Sequence, residues 1–422
     1  MVTSAACCET FLQKLTRISL QSDDGKSGAI AKYFIASLMF IVLVILDVFG
    51  LDEQTDKISR DYASRIISSF GPIHSVDDIV VILIEDEFLE IIGGWPPSYR
   101  DYQRLLQRIE IGTPTSITLA ILFSNKLNTE LSAGAERFQS FVNSPTHNTP
   151  IYLAYDSEAS EIFDLYAENG SNKVAVSWRE NQDYYPKYGG DGIKTPAFKI
   201  YEDSFGKVES EIEMYPIWPK FEEKSFSFLN LLNINHKAKQ MKAIKTISAV
   251  SLVGPDWSKM KDSLTEIVHA KHVFIGANIS GAQDVVESPI YGDIPGVYLH
   301  AVALQNLLFY KEDYFKKSFA IWGVEIDLNT LIELFTIIMS GLIFLVYLTL
   351  KDGLKPCSKK HFQYIAIAAV LNILIMFSSV CITLFLKIAP TNFLGLVILA
   401  PMIYEAIYYL FVKFFKQWER SR

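Results

Sequence analysis

The chain is poor in cysteine, in charge and in basic excess, and each shortage removes a class of protein. Four cysteines in 422 residues do not make a disulfide-stapled scaffold. Charged residues are only 20% against 50% hydrophobic, which excludes a disordered, charge-rich chain. Lys and Arg number 39 against 47 Asp and Glu, and a net charge of −8 argues against a nucleic-acid partner. No Gly-x-Ser-x-Gly elbow or Cys/His nucleophile arrangement is present, and no internal repeat. Asp24-Gly25-Lys26-Ser27 lacks the earlier glycine and the leading strand of a phosphate loop. No enzyme, cofactor or metal site is expected.

What is present is bunched. Four apolar segments, Tyr33–Leu51, Leu328–Leu350, Phe362–Leu386 and Phe393–Val412, stand apart from a polar middle. At about 1.5 Å of rise per residue, roughly 20 apolar residues cross a hydrocarbon layer about 30 Å thick. Asp47 interrupts the first segment, whose alternatives are a signal-peptide core or a buried soluble helix. The 32-residue lead and the lack of a small-x-small site after the run disfavour a cleaved signal.

Basic residues in the short flanks set the orientation. Lys14, Arg17, Lys26 and Lys32 precede the first segment, Lys351, Lys355, Lys359 and Lys360 follow the second, and Lys413, Lys416, Arg420 and Arg422 follow the fourth. The remaining short loop carries only Lys387. The expected layout is a multi-pass protein of the cell (inner) membrane with both termini cytoplasmic. Transmembrane helices cover 33–51, 328–350, 362–386 and 393–412. Residues 1–32, 351–361 and 413–422 lie in the cytoplasm, and 387–392 form a short outer loop. An extracytoplasmic domain, 52–327, is thus inserted between one N-terminal and three C-terminal spans. It has no cysteine, so its core alone holds it together. Cys7, Cys8 and Cys357 fall on the reducing side.

About 275 residues are enough for a large core. Ile79–Ile84 (IVVILI) is a continuous apolar run bounded by acids, the pattern of a strand buried on both faces. Ile117–Phe123 and Val273–Gly276 read alike, and Pro150–Ala154 and Ala249–Val253 more weakly. Ser98 caps a helix whose apolar positions are Tyr99, Tyr102, Leu105, Leu106 and Ile109, with Gly112 as its stop. Its Arg100, Arg104 and Arg108 form a solvated stripe. Ser263–Ala270 is a further helix, and Pro295 opens another running to about Tyr310. Strands alternating with helices predict an α/β sheet domain. The Tyr-, Pro-, Gly- and acid-rich stretch 155–225 reads as an insertion of hairpins and loops.

Two segments carry a resemblance. One is Ile79 to Asp86 followed by Gly94-Trp95-Pro96 and the helix through Leu105-Leu106. The other runs from Lys271 through Gly276-Ala277, Gly281, Asp284, Pro289, Pro295-Gly296-Val297, His300-Ala301 and Ala303 to Asn306-Leu307-Leu308. Together, with one span before the domain and three after it, they resemble the CHASE2 family of extracytoplasmic sensory domains. The resemblance implies a sensor whose signal crosses the membrane, and the family's signalling style implies a homodimer. In that family the last span usually leads into a cyclase, a kinase or a caspase-like peptidase. Here ten residues follow Val412, so the expectation is an effector on a separate polypeptide. Two features depart from the pattern. Leu119-Ala120 stand where the family often has Phe-Asp, and the arginine after Trp-Pro comes one place late, as Arg100.

Glu85, Asp86 and Glu87 follow a strand of the presumed sheet, where α/β folds commonly place ligand sites. With Asp284 they suggest an acidic cleft for a cation or basic ligand; the alternative is that they cap helices and hydrate loops. Trp95, Arg100 and His300 are further candidate ligand contacts, although Trp95 reads more readily as a packing plug and His300 as a buried structural histidine. His269 and His272 straddle a helix–strand junction and make no zinc pair. Within the spans, Asn372 lies about 15 Å and Glu405 about 10 Å from the cytoplasmic face, so the two can meet across an antiparallel helix pair. Lys355, Lys359, Lys360, Lys413, Lys416 and Trp418 are candidates for docking the effector or for anchoring at the lipid interface. The expected function is a non-enzymatic membrane sensor with an unknown extracytoplasmic ligand. The alternatives are a scaffold subunit of a membrane complex and an extracytoplasmic hydrolase.

Overall fold

The computed structural model describes residues 51–70, 76–123, 132–144, 147–156, 172–177, 184–189, 192–219, 241, 243–255, 257–281, 284–317, single positions between 328 and 343, and 359–390. The expected span 393–412, all of 33–51 but its last residue, and most of 328–350 lie outside them. So do Glu405, Lys355, Lys413, Lys416, Trp418 and the side chains of Lys359, Lys360 and Asn372. The chain divides into two units. The larger is Ser64–Lys317 with Lys387–Ala389.

That unit is built on a six-stranded parallel sheet. In chain order its strands are β1 (Ile79–Glu85), β2 (Ser116–Leu119), β3 (Ile151–Tyr155), β4 (Lys173–Ala175), β5 (Lys245–Ser248) and β6 (His272–Asn278). They lie side by side as β4-β3-β2-β6-β1-β5, every pairing parallel. A separate antiparallel ribbon pairs β7 (Val285–Ser288) with β8 (Gly292–Pro295). The helices are α1 (Leu51–Phe70), α2 (Asp86–Ile92), α3 (Tyr99–Glu110), α4 (Ser132–Val142), α5 (Pro196–Phe205), α6 (Val250–Val253), α7 (Trp257–Val268), α8 (Val297–Tyr310) and α9 (Lys359–Leu386).

Alternation along a strand sends successive side chains to opposite faces. Val80, Ile82, Ile84, Val273 and Ile275 join Leu105, Leu106, Ile109, Phe138, Leu252 and Leu264 in one apolar cluster under α3, α4, α6 and α7. Val81, Leu83 and Phe274 point the other way, into a second cluster with Phe198 and Ile200 of α5 and Val297 to Leu307 of α8. Helices on both faces explain why IVVILI has no polar alternation. Each fully buried Ile, Val or Leu in it contributes about 1.5–3 kcal/mol. α8 comes so close to β6 that a Cβ on Gly276 would meet Val297 Cβ at 2.4 Å.

The capped helix forms as its sequence predicts. Ser98 and Asp101 make a capping box, the Ser98 Oγ accepting from Asp101 N at 3.3 Å and the Asp101 carboxylate accepting from Ser98 N at 3.2 Å. Arg108 departs from the solvated stripe: its guanidinium donates to the Leu252 carbonyl and stacks 4.6 Å over Trp257. Three other expectations are corrected. Ala249–Val253 is not a strand; its apolar residues turn as α6, and the strand is the more polar Lys245–Ser248, which an edge position leaves half-covered. Pro295 closes β8, and α8 starts two residues later. Residues 155–225 are not only hairpins and loops, because they supply β4 and α5.

In the other unit, α9 is 28 residues long and turns Val370, Ile373, Leu374, Phe377 and Phe385 outward. Taken over the described side chains alone, no helix is long and apolar enough to cross a membrane.

Candidate functional site

The carboxyl ends of the strands form one rim of the larger unit. β1 feeds α2 and α3 on one face of the sheet, while its neighbour β6 leads to α8 on the other. Adjacent strands whose helices depart to opposite faces open a crevice between their ends, where doubly wound folds bind ligands. Here the crevice is clasped. The Asp86 carboxylate, just after β1, accepts from Ser280 N at 3.0 Å and from Ser280 Oγ at 2.6 Å, just after β6. Those bonds hold its pKa below the usual aspartate value.

The other rim acids are placed separately. Glu85 is half-buried at the end of β1; its charge adds to burial in pushing the Tyr298 hydroxyl up to about 12. Asp284 is an exposed residue whose carboxyl turns back onto Gly296. A Cβ on that glycine would sit 2.2 Å from Asp284 Oδ1, and this partial withdrawal from water raises the aspartate's pKa. Trp95 is 41% exposed between α2 and α3, and Arg100 is exposed in the first turn of α3. Among the described residues no group of three or more His, Cys, Asp or Glu side chains is placed to hold a metal ion.

His300 lies inside the fold, on α8. Its Nδ1 shares a 2.9 Å hydrogen bond with the Tyr185 hydroxyl, which also accepts from Ala197 N at 3.2 Å. Burial pushes the imidazole down to about 3, so it is neutral at ordinary pH. His272 shares a 2.8 Å bond with Ser116 Oγ and is pushed down to about 4, again by burial.

Two further constellations have no short-range sequence signal. The Lys187 ammonium, almost wholly buried, donates to the Val208 carbonyl at 2.5 Å and pairs with Glu211 at 3.3 Å and Glu202 at 3.4 Å, while Lys194 also binds Glu202. Burial alone would lower the lysine's pKa, but the surrounding negative charge outweighs it and the net shift is upward. Burial likewise opposes ionisation of Glu202, and the lysines with Val208 N outweigh that and hold it below the usual glutamate value.

The second constellation is a polar seam along 213–218. Tyr215 N donates to the Phe315 carbonyl at 2.7 Å, and Lys317 N to Glu213 O at 2.8 Å. Lys316 N donates to Lys387 O at 2.9 Å, and Ala389 N returns to Lys316 O at 2.8 Å. The Tyr215 hydroxyl shares a 2.5 Å bond with Ser64 on α1, and Ser68 of α1 donates to Trp218 O at 2.7 Å. Asn306 on α8 closes the seam, its Oδ1 accepting from Ile217 N at 3.0 Å and its Nδ2 donating to Ile217 O at 2.9 Å. Asn306 stands in the sequence motif, so it was the one visible signal; its partner at 217 was not.

A doubly wound parallel domain with a clasped crevice at one end, whose 213–218 segment bonds 64–68 and 315–317 while Lys316 bonds 387–389, defines the class. Residues 36–345 match the CHASE2 domain, and the chain belongs to that family. CHASE2 domains are generally extracellular sensory domains. Neither a curated protein nor a solved structure matches the chain.

Proposed function

We propose that the chain is a multi-pass protein of the cell membrane whose outer CHASE2 domain detects an extracytoplasmic cue and relays it, without catalysis of its own, to a separate cytoplasmic effector. One observation carries the reading. Of the segments linking the domain to three of the four apolar stretches, 64–68 and 315–317 are hydrogen-bonded to 213–218, and 387–389 joins the same seam through Lys316. A cue that alters the domain's packing therefore reaches all three linkers through one chain of hydrogen bonds, and a ligand shifts such an element only by binding its two states unequally. The 28-residue length and outward apolar side chains of α9 support the membrane placement, since at about 1.5 Å per residue it exceeds the ~30 Å hydrocarbon thickness.

Val285→Cys beside Asp284 tests the topology. A membrane-impermeant thiol reagent is expected to label it in intact cells. Labelling that needs permeabilisation overturns the reading. Purification of the full chain from membranes, with and without 413–422, then tests the relay: a kinase, cyclase or peptidase lost with the tail supports it, and unchanged company favours a scaffold.

A further inference from the structure

At the end of the larger unit opposite the clasped rim, the chain carries an exposed aromatic edge. α8 begins against Gly276 near the carboxyl end of β6 and runs back along the sheet toward the strands' amino ends. It finishes with Phe309, 46% exposed, whose ring lies 4.8 Å from Tyr310. α5 packs beside α8 and finishes with Phe205, 62% exposed and 5.1 Å from Tyr201. The two ends share a corner: Phe198 of α5 meets Tyr314, just beyond α8, edge to face at 5.9 Å, and Tyr201 feels the charge of Glu312. Tyr310 stacks on Phe315 at 5.7 Å, and the Lys387 ammonium sits 5.5 Å over the Tyr310 ring while pairing with Asp313.

Lys387 marks a boundary. The residues just before it on α9 are apolar and turned outward, Phe385 to 87% and Leu386 to 45%. The other chain exit from this corner, after Lys317, leads to the apolar segment Leu328–Leu350. Both covalent routes from the corner therefore lead into apolar stretches. Phe and Tyr rings mixed with lysines are the composition that settles at a membrane–water interface, and isolated exposed rings without such a neighbour need no explanation.

We infer that this corner is a lipid-contact surface: Phe205 and Phe309 rest in the headgroup layer of the outer face of the bilayer, with Lys387 and Tyr310 at the same level. The inference rests on α9 crossing the membrane, and the lipid surface, rather than a second copy of the chain, is the occupant because the corner continues covalently into α9. Seated in this way, the domain holds its Asp86–Ser280 rim away from the membrane, toward solvent.

The test uses the full chain in vesicles of phosphatidylcholine and phosphatidylglycerol, with Cys7, Cys8, Cys357 and Cys381 changed to serine. A single nitroxide label is introduced through Phe205→Cys, Phe309→Cys, Val285→Cys or Phe377→Cys, all at exposed positions that leave the core intact. Power saturation reads the accessibility of each label to oxygen against a water-soluble nickel chelate. Labels at 205 and 309 are expected to give oxygen-to-nickel ratios several-fold above the label at 285 and below that at 377. Ratios at 205 and 309 equal to that at 285, with 377 still shielded from nickel, overturn the inference and leave the membrane reading standing. An aqueous label at 377 overturns both. Spin–spin broadening at 205 and 309 that vanishes on lipid dilution assigns the corner to a second copy and also overturns the inference.

Discussion

The two faces of the central sheet are built by different physics. The face under α3, α4, α6 and α7 is a continuous apolar layer, in which Tyr99, Tyr102, Phe123 and Phe138 pack ring on ring at 5.3–6.5 Å. The face under α5 and α8 is as deeply buried but laced with polar groups: His300 with Tyr185, Asn306 with Ile217, Tyr298 with Thr246 at 2.8 Å, and the Lys187–Glu202 network at its margin. It also holds Thr118 and Gln305, whose side-chain polar atoms are buried without a hydrogen-bond partner among the described residues. Apolar packing is non-directional and tolerates small shifts, whereas a hydrogen-bonded interior has few alternative arrangements. The first face gives the domain its cohesion. The second gives it a defined route from α8 to the linkers.

Four measurements sharpen or break that contrast. The largest effect is expected at the polar margin. Lys187→Met removes one partner from a buried ion network and leaves Glu202 under-compensated, a loss of about 3–5 kcal/mol in chemical denaturation of the purified chain. Adding Glu202→Gln should restore part of it, and strictly additive losses would dissolve the network. On the apolar face, Leu105→Ala should cost about 2–5 kcal/mol through a cavity alone, with no change in the shape of the pH–stability profile. Acid comes third. His272 and His300 have folded pKa values of about 4 and about 3, below the usual 6.5. Below pH ~6.5 the unfolded chain takes up protons that the folded chain refuses, so stability is full above that pH. It should fall progressively toward pH 4 at about 1.4 kcal/mol per unit for each histidine. A flat profile between pH 7 and pH 4 would show that neither imidazole is buried. Smallest is Tyr215→Phe, which keeps the ring and removes the bond to Ser64. A loss of about 1 kcal/mol is expected, together with faster amide exchange confined to 64–68 and 213–218.

The same contrast explains what could be read from the chain beforehand. Ile79–Ile84, the Ser98 cap and the Tyr102-Leu105-Leu106-Ile109 stripe were legible because apolar periodicity records burial directly; the helix builds the first face and the strand lines both. The polar edge strand β5 and the strand and helix inside 155–225 were missed, because their burial depends on neighbours supplied by distant segments. Asp86 was placed correctly at a strand's carboxyl end, but its bond to Ser280, 194 residues away, leaves no local trace. The seam was invisible for the same reason: Ser64 and Tyr215 are 151 residues apart.

The bridge between Lys316 and Ile388 sets an order of events during synthesis. Residues 387–389 complete a unit whose other members end at Lys317, and the ribosome reaches them only after making everything from 318 to 386. A nascent chain paused anywhere in that interval carries the CHASE2 unit without its 387–389 segment. Closure of the unit must await synthesis of residues 318–386, so its completed assembly reports that the two apolar stretches within that interval have been made.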